Sequence, residues 1–355
     1  MVTNPKIERK KIDIARTLEK LSEVKGRLRE QKQDLLKLEK DALTPFSKQL
    51  SNLTLQALNS GHNPIQEIIG FMKCPNCGKD FEYVKTPEEE YIFCGEHRFD
   101  INDGVVDFKT LEIPGYTWSS WIRRYEDYKK RYENYDLTEL KETDKNIIQE
   151  LQKHKPPVIL DIGSGSASGV RKFMNYIDWE CTIILTDLSH RILKYDKRYI
   201  DENTINPQVK IVCFACDVRN LPFKDDTILF VLSYGGYFCI SYGLKKSFTE
   251  SRRVLIPGGR TITDMGIVSD RENQNVQKWL NLIKKEIGHD GDMMDEYYRS
   301  IYDMKEWDDL IKEFGFADFT FIKIKDEIPA PETDMFPYDC EISRWMGMAF
   351  ITAVK

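Results

Sequence analysis

Between Val158 and Gly169 the chain reads VILDIGSGSASG, an apolar run of strand length that ends in a carboxylate and passes into a glycine-rich turn. Such a run fits a buried strand, and Gly163 and Gly165 let the backbone turn tightly and approach a ligand with no Cβ in the way. The next strand-like run, TIILTD, ends in Asp187, 22 residues beyond Gly165. A carboxylate there can accept both hydroxyls of an adenosine ribose. Strand, tight turn, helix and second strand together make a βαβ unit, which is stable only in a parallel sheet covered by helices.

The rest of the chain continues the alternation. Strand candidates are 158–162, 182–186, 209–215, 228–233, 261–265, 319–325 and 349–354, with helical patterns between them. The expected fold is α/β, a Rossmann-like doubly wound sheet of seven strands. A glycine turn of this kind would also fit a nicotinamide dinucleotide. Two residues argue otherwise: Ser168 stands where GxGxxG has its third glycine, and Asp161, just before the turn, would repel a pyrophosphate. A cofactor with a cationic amine suits Asp161 better.

At 355 residues the chain has room for two or three domains, and 41% apolar and 31% charged residues with a net charge of −6 are ordinary for a globular protein. Its most apolar window, 227–240, is too short to span a bilayer and is broken by Gly235 and Gly236. The charged N-terminus lacks the apolar core of a secretory leader, so a cytoplasmic location and reduced thiols are expected. Cys181, Cys213, Cys216, Cys239 and Cys340 lie scattered among apolar residues and read as small buried hydrophobes.

Several ordered stretches resemble the class I S-adenosylmethionine-dependent methyltransferases, in particular the ubiquinone/menaquinone-type branch. LDIGSGSASG is similar to the first motif, with Ala167 at a common glycine position, and LTDLS to the second. FACDVRNLPFKDDTILFVLS is similar to the third and fourth, and ESRRVLIPGGRTIT to the turn before the fifth strand. The likeness runs from about Trp118 to Lys355. It implies an antiparallel last strand and S-adenosyl-L-methionine as cofactor. Residue by residue, it implies that Gly163 and Gly165 line the methionine end, with Asp161 on the amino group. Asp187 would take the ribose hydroxyls, Leu188 would pack beside the adenine, Asp217 would accept from the adenine amino group, and the Val218 backbone would reach the ring. Ser233 and Tyr234 would face the methyl group. An in-line attack on a sulfonium methyl requires no dedicated catalytic residue. Tyr237 and Tyr234 are nevertheless candidates on the acceptor side, with Asp264 and His289 behind them. The fourth strand is followed by SYGGYF, which lacks the DPPY-like tetrapeptide of amino-methylating DNA enzymes.

Ahead of this region Cys74, Cys77, Cys94 and His97 form CxxC-x16-CxxH. Two knuckles of two ligands each suit one tetrahedral Zn2+ with no open position, hence a structural role; a CxxC redox pair would need no second knuckle. The stretch resembles the small zinc ribbon related to the tRNA-methyltransferase activator family, and the zinc element of ribosomal-RNA guanine-N1 methyltransferases. It departs from their four-cysteine form at His97.

At the N-terminus Ile7, Ile14, Leu21, Leu28, Leu35 and Ala42 recur every seven residues, with Val24 and Leu38 between them. A coiled-coil helix over 5–42 is expected, either self-associating or pairing with a partner or the helix at 47–59. Like charges would face each other in a parallel homodimer, which favours an antiparallel one. A single amphipathic helix is the alternative. The expected domains are a helical arm (1–62), a zinc ribbon (63–110) and a methyltransferase domain (111–355).

Three functions compete. The chain methylates a small-molecule, natural-product or peptide acceptor; or it methylates an RNA base; or it is a coiled-coil scaffold with a vestigial pocket. Overall acidity and the ribbon's EYVKTPEEEY disfavour RNA, and no DNA or membrane partner is expected. Intact Asp187 and Asp217 disfavour the scaffold. The acceptor pocket is expected from 118–135, 266–302 and 326–345.

Overall fold

The alternation read from the sequence is realised as strands β1 (Glu82–Lys85), β2 (Glu90–Phe93), β3 (Arg98–Asn102), β4 (Val105–Asp107), β5 (Val158–Ile162), β6 (Cys181–Asp187), β7 (Val209–Ala215), β8 (Ile228–Ser233), β9 (Leu255–Val268), β10 (Tyr302–Asp303), β11 (Asp318–Lys325) and β12 (Gly347–Val354). The helices are α1 (Pro64–Ile68), α2 (Glu142–His154), α3 (Ser168–Phe173), α4 (His190–Asn203), α5 (Gly236–Cys239), α6 (Leu244–Val254) and α7 (Met304–Glu313). This computed structural model describes residues 63–108, 137–203, 206–239, 243–268, 302–325 and 347–355, with 272, 274 and 277 singly. The expected coiled coil, the helix at 47–59, the 118–135 stretch and His289 lie outside the described residues.

Five strands run parallel in the order β7-β6-β5-β8-β9, and β12 inserts antiparallel between β9 and β11. Winding proceeds one way from β5 to β7 and the other way from β8 to β9. The reversal leaves a crevice at the carboxyl ends of β5 and β8, where open α/β sheets bind ligands. On one face of the sheet Ile147, Leu151, Val170 and Phe173 of α2 and α3 share a core with Leu193 and Ile200 of α4. On the other, Leu244, Phe248 and Val254 of α6 and Trp307, Leu310 and Ile311 of α7 make a second core. The 3.6-residue spacing of these apolar positions puts each set on one helical face.

The sheet is not seven-stranded. Among the described residues it has twelve strands, because the cysteine-bearing ribbon continues it: β4 lies parallel to β7, with β3, β2 and β1 following, and β10 adds to β9. Physically, β7 would otherwise be an apolar edge, and β4 covers it. Val105 and Val106 are fully buried there, and Phe108 N–H bonds Ala215 O at 3.0 Å. Phe81, Phe99 and Phe108 pack in a row, edge-on or tilted, onto Phe214 and Phe223. Each such ring buries roughly 1.5–3 kcal/mol of apolar surface, which fuses ribbon and sheet into one core. From His62 on, the chain is one compact unit.

The fifth core strand also exceeds expectation. β9 begins at Leu255 rather than near Thr261, and its Pro-Gly-Gly bulges the register between Ile228 and Phe230 of β8.

Candidate cofactor rim and metal centre

The glycine-rich turn is built from left-handed backbone. Gly163 has φ 64°, Gly165 has φ 51°, and Ala167, the residue before α3, has φ 47°. Ala167 therefore adopts a glycine-like conformation despite its Cβ, as its place in the motif requires. Ser164 locks the turn to β6: its N–H bonds Thr186 O at 2.8 Å, and its Oγ accepts Thr186 N–H at 3.0 Å. Thr186 Oγ1 in turn donates to Asp161 O at 2.7 Å. Neither Ser164 nor Thr186 was singled out from the sequence, because a hydroxyl at a strand end carries no signal of its own.

Two carboxylates face this turn. Asp187 Oδ2 accepts Gly165 N–H at 3.1 Å and Oδ1 accepts Ser189 N–H at 2.8 Å. Each oxygen keeps a lone pair, so two hydroxyls can still be accepted. Burial raises the Asp187 carboxyl above its usual range, against the pull of the Ser189, Gly165 and Leu188 amides. Asp161 is 2% exposed, and its Oδ1 has no hydrogen-bond partner. Burial pushes its carboxyl up to about 7, with Ser164 acting downward and Asp187 upward. A buried carboxylate oxygen without a donor is costly, and a cationic amine would satisfy it.

At the end of β7 the structure departs from the expected arrangement. Asp217 is held by Arg219, whose Nε lies 3.0 Å from both carboxylate oxygens, with Nη2 2.7 Å from Oδ2 and the backbone N–H 2.8 Å from Oδ1. Its acceptor positions are largely filled by this fork, and it caps the 218–220 turn. Val218 is buried beside it and Leu188 is half-buried next to Asp187. Arg219 was missed from the sequence because only the fold turns its side chain back onto the acid two residues earlier.

The loop after β8 sorts its candidates. Ser233 is fully buried; its Oγ donates to Ile162 O at 3.0 Å and accepts Tyr237 N–H at 2.9 Å, tying β5 to α5. Tyr237 is also fully buried, stacks on Phe248 at 4.2 Å, and pairs its hydroxyl with Ser251. Burial pushes that hydroxyl up to about 12. The structure thus places Ser233 and Tyr237 in the framework rather than at an open face. Tyr234 is half-buried against α3, where a Cβ on Gly169 would lie 2.7 Å from its ring. At Gly236 a Cβ would lie 2.0 Å from Ile162 O and 3.0 Å from Gly163 O, so only glycine lets this loop close on the turn. Asp264 on β9 is 5% exposed and its Oδ1 accepts Gly235 N–H at 2.6 Å.

The ribbon brings Cys74, Cys77, Cys94 and His97 together, with one ligand atom of each within 4.8 Å of the others. Cys77 Sγ is 3.5 Å from Cys94 Sγ, and His97 Nδ1 is 3.6 Å from the sulfurs of both Cys74 and Cys94. Ligands at Zn–S 2.3 Å and Zn–N 2.0–2.1 Å would form a tetrahedron with edges of about 3.8 and about 3.5 Å, so the donor set fits that ion. Gly78 (φ 77°) and Gly95 (φ 86°) make the knuckle turns, and Cys94 N–H bonds His97 O at 3.1 Å. The first knuckle rests on the loop after β7, where Asn220 Nδ2 donates to Pro75 O at 3.1 Å and Lys73 N–H to Pro222 O at 3.2 Å. Cys181, Cys213 and Cys216 are buried, as expected of core thiols.

Comparison with known proteins bears on the same region. Residues 160–263 match the family described as Methyltransferase domain. No curated protein sequence matches the chain. Similar solved structures include Haemonchus contortus phosphoethanolamine N-methyltransferase 2 with S-adenosyl-L-methionine (17% identity, 59% of this chain and 52% of that one, TM-score 0.40). This chain thus spans about half of the Haemonchus protein. Others are a Thermotoga maritima S-adenosylmethionine-dependent methyltransferase (17% identity, 67% and 100%, TM-score 0.38) and a Haloferax volcanii complex of the Trm112 methyltransferase activator with a methyltransferase (18% identity, 67% and 95%, TM-score 0.40). The match thus places a methyltransferase domain over residues 160–263, the stretch that carries the glycine turn and the acids Asp161, Asp187 and Asp217.

Proposed function

We propose that the chain transfers the methyl group of S-adenosylmethionine to a small-molecule, natural-product or peptide acceptor, as a member of the ubiquinone/menaquinone-type branch, and that its ribbon holds one structural zinc. The observation that carries the cofactor's placement is Asp161 Oδ1, buried and unpartnered beside the glycine turn. When bound, the cofactor supplies an already activated sulfonium methyl. The chain's part is to bind and orient. Asp161 takes the amino group, Gly163 and Gly165 allow close approach, and Asp187 accepts the ribose hydroxyls. Val218 and Leu188 flank the adenine, with Asp217 held in place by Arg219. Among the proposed methyl-side residues, Tyr234 is the more accessible and Ser233 and Tyr237 support it from the core.

Cys74, Cys77, Cys94 and His97 fill a tetrahedral shell, leaving no position for water, so the zinc is structural rather than hydrolytic. An RNA acceptor is disfavoured by the ribbon's own ion pairs. Lys79 pairs with Glu96 at 2.5 Å, and Arg98 with Glu89 and Asp100 at 2.7 Å each, so these cations are already neutralised. No described helix is long and apolar enough to cross a membrane. We place the protein in the cytoplasm, with 5–42 as a separate arm for self-association or a partner protein. The test is methyl transfer from labelled cofactor to cell extract split into RNA, protein and small-molecule fractions. Label is expected in the small-molecule or peptide fraction; label in RNA alone reverses the reading.

A further inference from the structure

We propose that Asp264 is the acceptor-side base of this enzyme and that the acceptor nucleophile is an amine arriving as an ammonium ion. The inference rests on the reading of the rim as an S-adenosylmethionine site and specifies what the other half of that site takes.

Position comes first. Ser233, the last residue of β8, pairs with Thr263, so Asp264 is the first residue of β9 beyond the end of its neighbour. It stands on the same carboxyl-end rim as Asp161, two strands away, roughly 10 Å at the usual strand spacing. The loop that donates Gly235 N–H to it is the one whose Gly236 closes on Ile162 and Gly163. One backbone layer therefore separates Asp264 from the glycine turn.

Charge comes second. The groups felt by Asp264 are Asp144 and Lys141, at the opening of α2. Among the described residues, the buried lysine that pairs with Asp144 is Lys172 of α3, and it is engaged: it bonds Asp144 Oδ2 at 2.9 Å and Glu139 O at 2.7 Å, and both side chains of the pair are 2% exposed. Lys141 is exposed to solvent. Among the described residues Asp264 thus has a backbone amide but no buried cation. An anionic acceptor would meet the Asp264 carboxylate with like charge, whereas an ammonium ion would be matched by it.

The chemistry balances. The ammonium gives one proton to the Asp264 carboxylate, and the freed nitrogen lone pair attacks the methyl carbon. The S–CH3 bonding pair returns to sulfur, giving a methylated ammonium product and S-adenosylhomocysteine. Water then takes the proton from Asp264. Burial lifts that carboxyl to about 6, a value suited to a base ionised at neutral pH.

The test uses the full chain, methyl-labelled S-adenosylmethionine and a small-molecule extract whose products are separated by charge. Wild-type label is expected in compounds retained by a cation exchanger. Asp264→Asn keeps an oxygen for Gly235 N–H; it should lower that labelling by about 100-fold or more, the usual scale of general-base loss. Its calorimetric affinity for S-adenosylmethionine should stay within about threefold of wild type. Absence of label from cationic products overturns the proposal, as does an Asp264→Asn chain that labels amines at the wild-type rate. The product-charge arm needs no variant, so a folding defect in Asp264→Asn leaves it decisive. A wild-type chain that does not bind S-adenosylmethionine takes down the cofactor reading as well, and calorimetry separates that failure from the narrower one.

Discussion

The Cys/His cluster of the ribbon and the rim around the glycine turn belong to one compact unit and are built in opposite ways. In the ribbon every ligand atom faces another ligand atom, at 3.5–3.6 Å, around a space large enough for one ion. On the rim the acids keep unfilled acceptor positions: Asp187 after binding two amides, and Asp161 at a buried oxygen with no donor. A closed donor set makes a fastener; an open one makes a binding site. Proximity joins the two, since the first knuckle touches Asn220 in the turn that Asp217 caps.

The comparison can be broken most forcefully at the fastener. Cys74→Ser or Cys94→Ser should remove close to one zinc per chain by metal analysis and lower the thermal midpoint by more than about 10 °C, because structural zinc binding contributes about 10–16 kcal/mol to folding in small domains. A metal-free chain with an unchanged midpoint would refute the ribbon. Gly236→Ala comes next. A Cβ 2.0 Å from Ile162 O forces the loop off the turn, and a loss of about 2–4 kcal/mol in denaturant unfolding is expected, with weakened cofactor binding.

On the open side, Asp161→Asn should weaken S-adenosylmethionine binding about 10- to 100-fold by calorimetry, the scale of one lost charge-assisted hydrogen bond. The same residue sets a pH signature. Its folded carboxyl is pushed up by burial to about 7 against an ordinary value of 3.8, so between those values the folded chain holds the proton that the unfolded chain has lost. Cofactor-free stability should therefore fall as pH rises from about 4 to 7, while S-adenosylmethionine affinity should rise over the approach to 7 as the carboxylate forms. Thermal midpoints at a series of pH values check this, and Asp161→Asn should flatten the trend. The smallest effect belongs to Tyr237→Phe: about 1 kcal/mol of stability from the lost Ser251 contact, with methyl transfer within about twofold of wild type.

Much of the rim was legible because its signals are local. Gly163, Gly165 and Asp187 announce a turn and a strand end by type and spacing, and the CxxC and CxxH pairs announce knuckles in the same way. What escaped depends on the fold. Nothing in Val105 or Val106 says that β4 will pair with β7, a strand about a hundred residues later; only the need to cover that edge decides it. Asp217 is engaged by Arg219, which only the fold turns back onto it, and Tyr237, a candidate on the acceptor side, lies buried in the core. Lys172, a lysine on an ordinary helical stretch, gave no hint of a buried pair with Asp144.

The central claim is that the open acids of the rim bind S-adenosylmethionine. Titration calorimetry of the zinc-loaded chain with that cofactor, for wild type and Asp187→Ala, tests it most directly. One cofactor should bind per wild-type chain, and binding should weaken about 100-fold or more in Asp187→Ala, with zinc content unchanged. No binding to wild type, or equal affinity in the two chains, contradicts the account.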